Sequence, residues 1–254
     1  MASKPEVALE PPAQAARPLS TGWSERAFQA LTLLDATLVV VALHFVFLRA
    51  PVEARMGIVQ KIFYFHVPSA FAMYLGAIAC FLGSLAYLVH PSESRDAFAR
   101  AGAEVAVAFG AIVLVTGPLW ASKAWGSYWT WDPRLTTSLI SVLIYVAYVM
   151  LRSFGGGGEA VRKFAAALGF LGAVNLPIIH FSVQKWSGQH PRVLGQGGGG
   201  LQHVDMKIAF AVASITMLLF AALLLWSRWR IALAHSRVQR LSQEALELGV
   251  VDEG

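Results

Sequence analysis

The chain has 254 residues, of which 56% are hydrophobic and only 14% are charged, where an average soluble domain carries about 25% charged residues. So much apolar surface cannot be hidden in a water-soluble core, which excludes an ordinary soluble enzyme or binding domain. The pI near 9.6 does not call for nucleic acid, because Lys and Arg lie at the edges of apolar blocks rather than along one soluble face.

Residues 1–25 are rich in Pro and Ala and contain no apolar stretch. They lack the centre of a secretory signal and are expected to form a flexible tail. Six apolar blocks follow: Phe28 to Leu48, Pro68 to Val89, Ala103 to Leu119, Leu135 to Leu151, Phe164 to Val183 and Ile208 to Trp226. At ~1.5 Å per residue, blocks of about twenty match a hydrocarbon layer ~30 Å thick. They run continuously apolar, whereas strands of a membrane barrel would alternate. The expected fold is therefore all-α, a polytopic membrane protein with six transmembrane helices.

The first span carries Asp35 and His44, ionisable groups that inside a membrane are functional suspects by default, although a lone histidine there is often just hydrogen-bonded to a neighbouring helix. The loop over residues 49–67 holds Arg55, Lys61 and His66, with Pro68 just behind. Cys80, the only cysteine, falls inside the second span, so no disulfide can form within the chain. Covalent c-type haem attachment is not expected either, since the chain has no C-x-x-C-H.

Between the third and fourth spans, residues 120–134 hold Trp120, Trp125, Tyr128, Trp129 and Trp131. An interfacial aromatic belt is one reading. It suits Trp23, Trp226 and Trp229, which are scattered at span ends. A platform for a large flat apolar ligand explains the clustered rings better, with Gly126 allowing close backbone approach. Asp132 followed by Pro133 and an apolar run reads as a helix N-cap with proline at the first helical position, which would also fix the aromatic loop.

His180 lies near the end of the fifth span, and the loop beyond it holds Trp186, His190, the glycine-rich run at 195–200 and His203. After the sixth span, Ile231, Ala234, Val238, Leu241, Ala245 and Leu248 recur at intervals of three and four, forming one apolar helical stripe. Residues 228–254 are thus expected to be an amphipathic tail, lying on the membrane surface or docking another subunit. The distribution of Lys and Arg puts both ends of the chain in the cytoplasm and the loops at 49–67, 120–134 and 184–207 outside.

A ligand that is flat, apolar, anionic at one edge and coordinated through iron would use these outer groups together, and haem fits that description. Aromatic rings would cover the porphyrin and one histidine from each of two loops could take the axial positions. Arg55, Lys61, Lys123 or Arg134 could meet the propionates, each with the rival explanation of a snorkelling interfacial residue.

The run Trp125-Gly126-Ser127-Tyr128-Trp129-Thr130-Trp131-Asp132-Pro133-Arg134-Leu135-Thr136 closely resembles the tryptophan-rich WWD signature of haem-handling proteins in cytochrome c maturation. With six spans and no large outer domain, the chain is similar to the CcmC family from about residue 25 to 230. His66-Val67-Pro68, and Asn175-Leu176-Pro177-Ile178-Ile179 leading to Ser182-Val183, Trp186 and His190, extend the likeness. The resemblance implies a haem-binding and delivery protein, not an enzyme, of the bacterial inner membrane. It would hold haem b on the periplasmic side and present it to the haem chaperone CcmE, in a complex with CcmD and the ABC-type subunits CcmA and CcmB.

By the family pattern His66 and His190 are the axial iron ligands, while His180 and His203 match no ligand position. Trp120, Trp125, Tyr128, Trp129, Trp131, Asp132, Arg134 and Trp186, with the cations Arg55 and Lys123, complete the expected haem site. The unit that handles haem is expected over 26–227. Two departures stand out: Lys185 replaces the first of two adjacent tryptophans, and Tyr128 stands where a tryptophan is frequent. The alternatives are a haem lyase of the same superfamily, which carries more spans and further intramembrane histidines, and a b-type electron-transfer cytochrome. The glycine run between His190 and His203 weakens the latter. A secondary transporter with a helix broken at Pro177 lacks a second broken span in the corresponding half.

Overall fold

The computed structural model describes residues 22–54, 56–186 and 201–247. Among these the fold is all-helical, with one isolated bridge between Glu53 and Gly57. In chain order the helices are α1 (Trp23–His44), α2 (Phe63–Val89), α3 (Glu93–Trp125), α4 (Pro133–Phe154), α5 (Glu159–Trp186) and α6 (Val204–Glu247). Six helices are long and apolar enough to cross a membrane. A π-helical turn, Phe45–Arg49, ends the first span, and a 3-10 turn, Ile58–Ile62, leads into α2.

Every helix starts before its apolar block, and in two of them the early start has a clear cause or consequence. α2 begins at Phe63, so His66 lies on the helix rather than in the loop before it, and Pro68 is accommodated inside the helix. α3 begins at Glu93 because Ser92 caps it, its side chain accepting from the Arg95 amide at 3.4 Å, with Glu93 and Asp96 in the first turn where the helix dipole favours them. Between Glu104 and Lys123 α3 carries no charged residue, a stretch of roughly 27 Å at ~1.5 Å per residue.

α2 and α3 form the centre of the bundle. A Cβ added at Gly76 would stand 2.6 Å from the Ala106 amide nitrogen, and one at Gly83 would stand 2.7 Å from that of Ala99. The two backbones thus touch, which is how helices associate where lipid removes the hydrophobic drive between them. α4 and α5 pack alongside, burying Met73, Phe109, Tyr145 and Tyr148.

α1 is peripheral and leans on α6. Arg49 pairs with Asp205 at 3.7 Å at one end, and Glu25 pairs with Arg230 at 2.9 Å at the other. Asp35 is buried on the inward face of α1, whereas His44 is exposed and touches Phe45 edge-on at 5.8 Å. The opposite end of the bundle from the 126–132 connection is laced by charge: Arg152 meets Asp96 at 2.6 Å, Arg162 meets the same carboxylate at 3.7 Å, and Arg228 meets Glu104 at 2.5 Å.

The segment from residue 228 continues α6 without interruption to Glu247. No Gly or Pro falls between Val204 and Glu247 to let the chain turn, and 44 residues make a rod of about 66 Å.

Candidate functional site

His66 sits in the first turn of α2 with its ring half-buried against α3. Its Nδ1 is 2.9 Å from Thr116 Oγ1, and that hydroxyl is 2.6 Å from the Ile112 carbonyl. A hydroxyl has one hydrogen, and the carbonyl can only accept. Thr116 therefore donates to Ile112, and the imidazole donates from Nδ1 to Thr116. The ring is held in the tautomer whose lone pair is on Nε2, the form that binds a metal.

The neighbouring residues shape that position. A Cβ on Gly117 would come within 3.3 Å of His66 Cε1, so glycine leaves the ring its place. Trp120, one turn further, lies 5.9 Å from the His66 ring and 5.9 Å from Phe63, with its indole N–H 3.3 Å from the Met56 sulfur. Only 4% of Trp120 is exposed. It belongs to the wall behind His66 rather than to an open platform. Thr116 and Gly117 escaped the sequence reading, which treated the third span as uniformly apolar; the Thr-Gly-Pro break at 116–118 is the signal that marks it.

The aromatic loop follows at the same end of α3. Gly126 adopts φ 76° and ends α3 in the left-handed conformation, and a Cβ there would meet nothing within 4 Å among the described residues. Trp129 and Trp131 pack edge-on at 5.6 Å. Tyr128 and Trp131 are exposed, at 65% and 75%, while Trp125 and Trp129 are half-buried. The Trp129 indole nitrogen is buried without a hydrogen-bond partner among the described residues. Asp132 caps α4 as expected, its Oδ1 accepting from the Leu135 amide at 2.9 Å with Pro133 opening the helix.

The expected cations diverge. Lys123 is exposed and Arg134 half-buried. Lys61 is buried, and its ammonium donates toward the carbonyls of Val46, Phe47 and Ala50 at 2.7, 3.2 and 3.3 Å. These are carbonyls that the π-helical end of the first span leaves open, so Lys61 clamps that end to the turn preceding His66. Its donors are directed at backbone, which removes it from the propionate candidates. Arg55 and His190 lie outside the described residues.

Trp186 is 57% exposed at the end of α5. His180 lines an apolar groove of about 620 Å³ between α2 and α5 with Tyr74, Phe81, Phe170 and Phe181. His203 caps α6, its Nδ1 accepting from the Asp205 amide at 3.1 Å and its carbonyl from Met206 and Lys207.

Six apolar helices with an imidazole fixed in one tautomer and an indole-rich loop at the same end define a multi-pass membrane protein of the WWD type. A family model described as heme exporter protein C, CcmC, matches residues 13–244. The chain belongs to the CcmC family. It is 37% identical over 182 residues to heme exporter protein C of Bradyrhizobium diazoefficiens, covering 68% of each chain. It is 35% identical over 145 residues to that of Escherichia coli K12, covering 56% of this chain and 58% of the relative. A CcmC-like mitochondrial protein of Marchantia polymorpha, named for cytochrome c biosynthesis, is 32% identical over 160 residues, 63% of this chain and 67% of the relative.

Proposed function

We propose that this protein binds haem b beside the aromatic loop and presents it to a CcmE-type haem chaperone during cytochrome c maturation. The observation that carries the reading is the His66 to Thr116 hydrogen bond, which prepares Nε2 for iron at the end of the bundle that bears the tryptophans. His190, from the third loop on that side, would take the second axial position. Trp125, Tyr128, Trp129, Trp131 and Trp186 would cover the porphyrin. The buried Trp129 N–H lacks an acceptor among the described residues, and a propionate oxygen would supply one. Arg134, Lys123 and Arg55 would balance the propionate charge. Haem is cargo here, and the protein's own part is to hold, orient and release it.

In this reading the chain works with CcmA, CcmB and CcmD-type subunits in the bacterial inner membrane. Residues 26–227 form the haem-handling unit, and the site faces the periplasm. A reporter enzyme fused after Gly254 should be active only in the cytoplasm; periplasmic activity there would reverse the orientation.

The decisive experiment is an absorption spectrum of the purified protein. Two imidazoles on one iron give a six-coordinate, low-spin spectrum. His66→Ala and His190→Ala should each alter coordination or lose haem, with added imidazole refilling the vacancy. His180→Ala and His203→Ala should keep the low-spin form. If His190→Ala kept it and a control lost it, the second ligand would be misassigned.

A further inference from the structure

We propose that α4 swings as a rigid lever about the glycine run at 155–158, carrying the aromatic loop away from His66 and opening a hydrated wedge along its inner face. The swing stands on the geometry of α4. The haem reading supplies its use, the release of cargo held between His66 and the loop.

The exposed side of α4 is apolar, with Ile140, Leu143 and Met150 on it. Its inner side is polar from end to end. At 100° per residue, Arg134, Thr137, Ser141, Tyr145, Tyr148 and Arg152 share an arc of about 80°, and no other residue of the helix falls in it. This stripe is turned into the bundle: Tyr145 meets α5 at Gly172, Val142 beside it meets α3 at Gly110, and Ser141, Tyr145 and Tyr148 are at most 1% exposed.

Polar groups inside a membrane bundle are normally bonded to one another or serve a function. Eleven buried side-chain polar atoms lack a partner among the described residues, and six of them belong to residues 129–152. They are Trp129 Nε1, Thr136 Oγ1, Ser141 Oγ, the Tyr145 hydroxyl, and Nε and Nη1 of Arg152. Each unmet group weighs against the closed packing by a factor of roughly five or more in an equilibrium. Water reaching the seam would meet them.

The two ends of α4 differ. At the inner end the helix stops at Gly155 and Gly156 adopts φ 79°. A Cβ at Gly156, Gly157 or Gly158 would meet nothing within 4 Å among the described residues, so the backbone has freedom to turn there. The Arg152 to Asp96 pair beside it, at 2.6 Å, keeps the pivot in place. At the outer end α4 carries the loop, because Asp132 accepts from the Leu135 amide at 2.9 Å and from Thr130 at 3.4 Å. A hydrogen bond latches this end to α5, Asn175 Nδ2 donating to the Thr137 carbonyl at 2.7 Å.

The 22 residues of α4 make a lever of about 33 Å. A turn of about 10° at the glycines moves Trp131 by about 6 Å and parts the seam by about 4 Å at Ser141, enough to admit a water. His66 stays with the α2–α3 pair, so imidazole and loop separate.

The full-length protein in lipid nanodiscs, spin-labelled at Ile140→Cys and Ile208→Cys, tests the swing. Both positions are exposed and Cys80 is buried. α6 packs on α2 and α3, so the label distance crosses the core. Pulsed dipolar spectroscopy should give two distances about 4 Å apart. Asn175→Leu, or the milder Asn175→Ala, removes the latch and should raise the share of the longer distance. Ser141→Ala combined with Tyr145→Phe removes two unmet groups and should lower that share about fivefold or more, while raising the melting temperature.

A single distance in the wild-type and Asn175 variants alike would overturn the proposal. So would a longer component that the Ser141 and Tyr145 changes leave undiminished. Neither readout uses haem, so a protein that swings yet shows no low-spin spectrum would overturn the haem reading alone.

Discussion

His66 and Thr116 lie fifty positions apart in the chain and 2.9 Å apart in the fold. The threonine hydrogen is committed to the Ile112 carbonyl, so the bond runs from imidazole to hydroxyl. A residue of the third span thus decides which nitrogen of a histidine in the second span is free of its proton. Groups that orient a metal ligand in this way are worth roughly 10–100-fold in affinity. Thr116→Val should weaken haem binding by that factor in a spectroscopic titration, and Thr116→Ser should restore it. Unchanged affinity in the valine variant would mean that the ring is oriented by other contacts.

Replacing Trp125, Trp129 and Trp131 together by Leu separates platform from belt. Leucine is fully compatible with a membrane, so insertion and helix content should be preserved while the haem retained on purification falls sharply. Equal haem in wild type and triple variant would assign these rings to the interface.

Lys61→Met tests the clamp on the π-helical end of the first span. Three carbonyls lose their common donor, and an unmet buried polar group costs about 1–3 kcal/mol. A thermal melt should show a loss in that range. Lys61→Arg should rescue poorly, because a planar guanidinium cannot reproduce the compact ammonium. A melt that does not move would mean that water serves those carbonyls equally well.

The α2 to α3 contact sets a steric limit. Gly83→Leu would press side-chain atoms into the backbone at Ala99, and overpacking of this kind costs 1–3 kcal/mol or more. The variant should accumulate poorly in membranes, as measured by immunoblot and melting. Gly157→Ala, where a Cβ meets nothing within 4 Å among the described residues, should behave as wild type. Normal accumulation of the leucine variant would contradict so close an approach.

The six spans and the cap at Asp132 were readable from the sequence because each rests on local chemistry: a run of apolar residues, or a capping aspartate before a proline. The family was readable from one dense motif. What stayed hidden depends on contacts between distant segments. Nothing next to Lys61 in the sequence distinguishes a propionate partner from a backbone clamp; the carbonyls it meets are at least eleven residues away. Thr116 resembles any hydroxyl in an apolar helix until His66 is brought against it. Trp120 reads with the aromatic loop by proximity, yet it lies one turn inside α3, where Phe63 and Met56 enclose it. The tail has the amphipathic pattern of a surface helix, and its unbroken junction with the sixth span is visible only in the fold.

The uncharged length of α3 also fixes a depth. If Glu104 and Lys123 mark the two surfaces of the apolar layer, Thr116 lies seven residues below Lys123, roughly 10 Å down at the helical rise. The imidazole bonded to it shares that level, beneath the plane of the lipid headgroups. A molecule held there would have its lower edge among acyl chains and its upper edge among the indoles of the 126–132 connection.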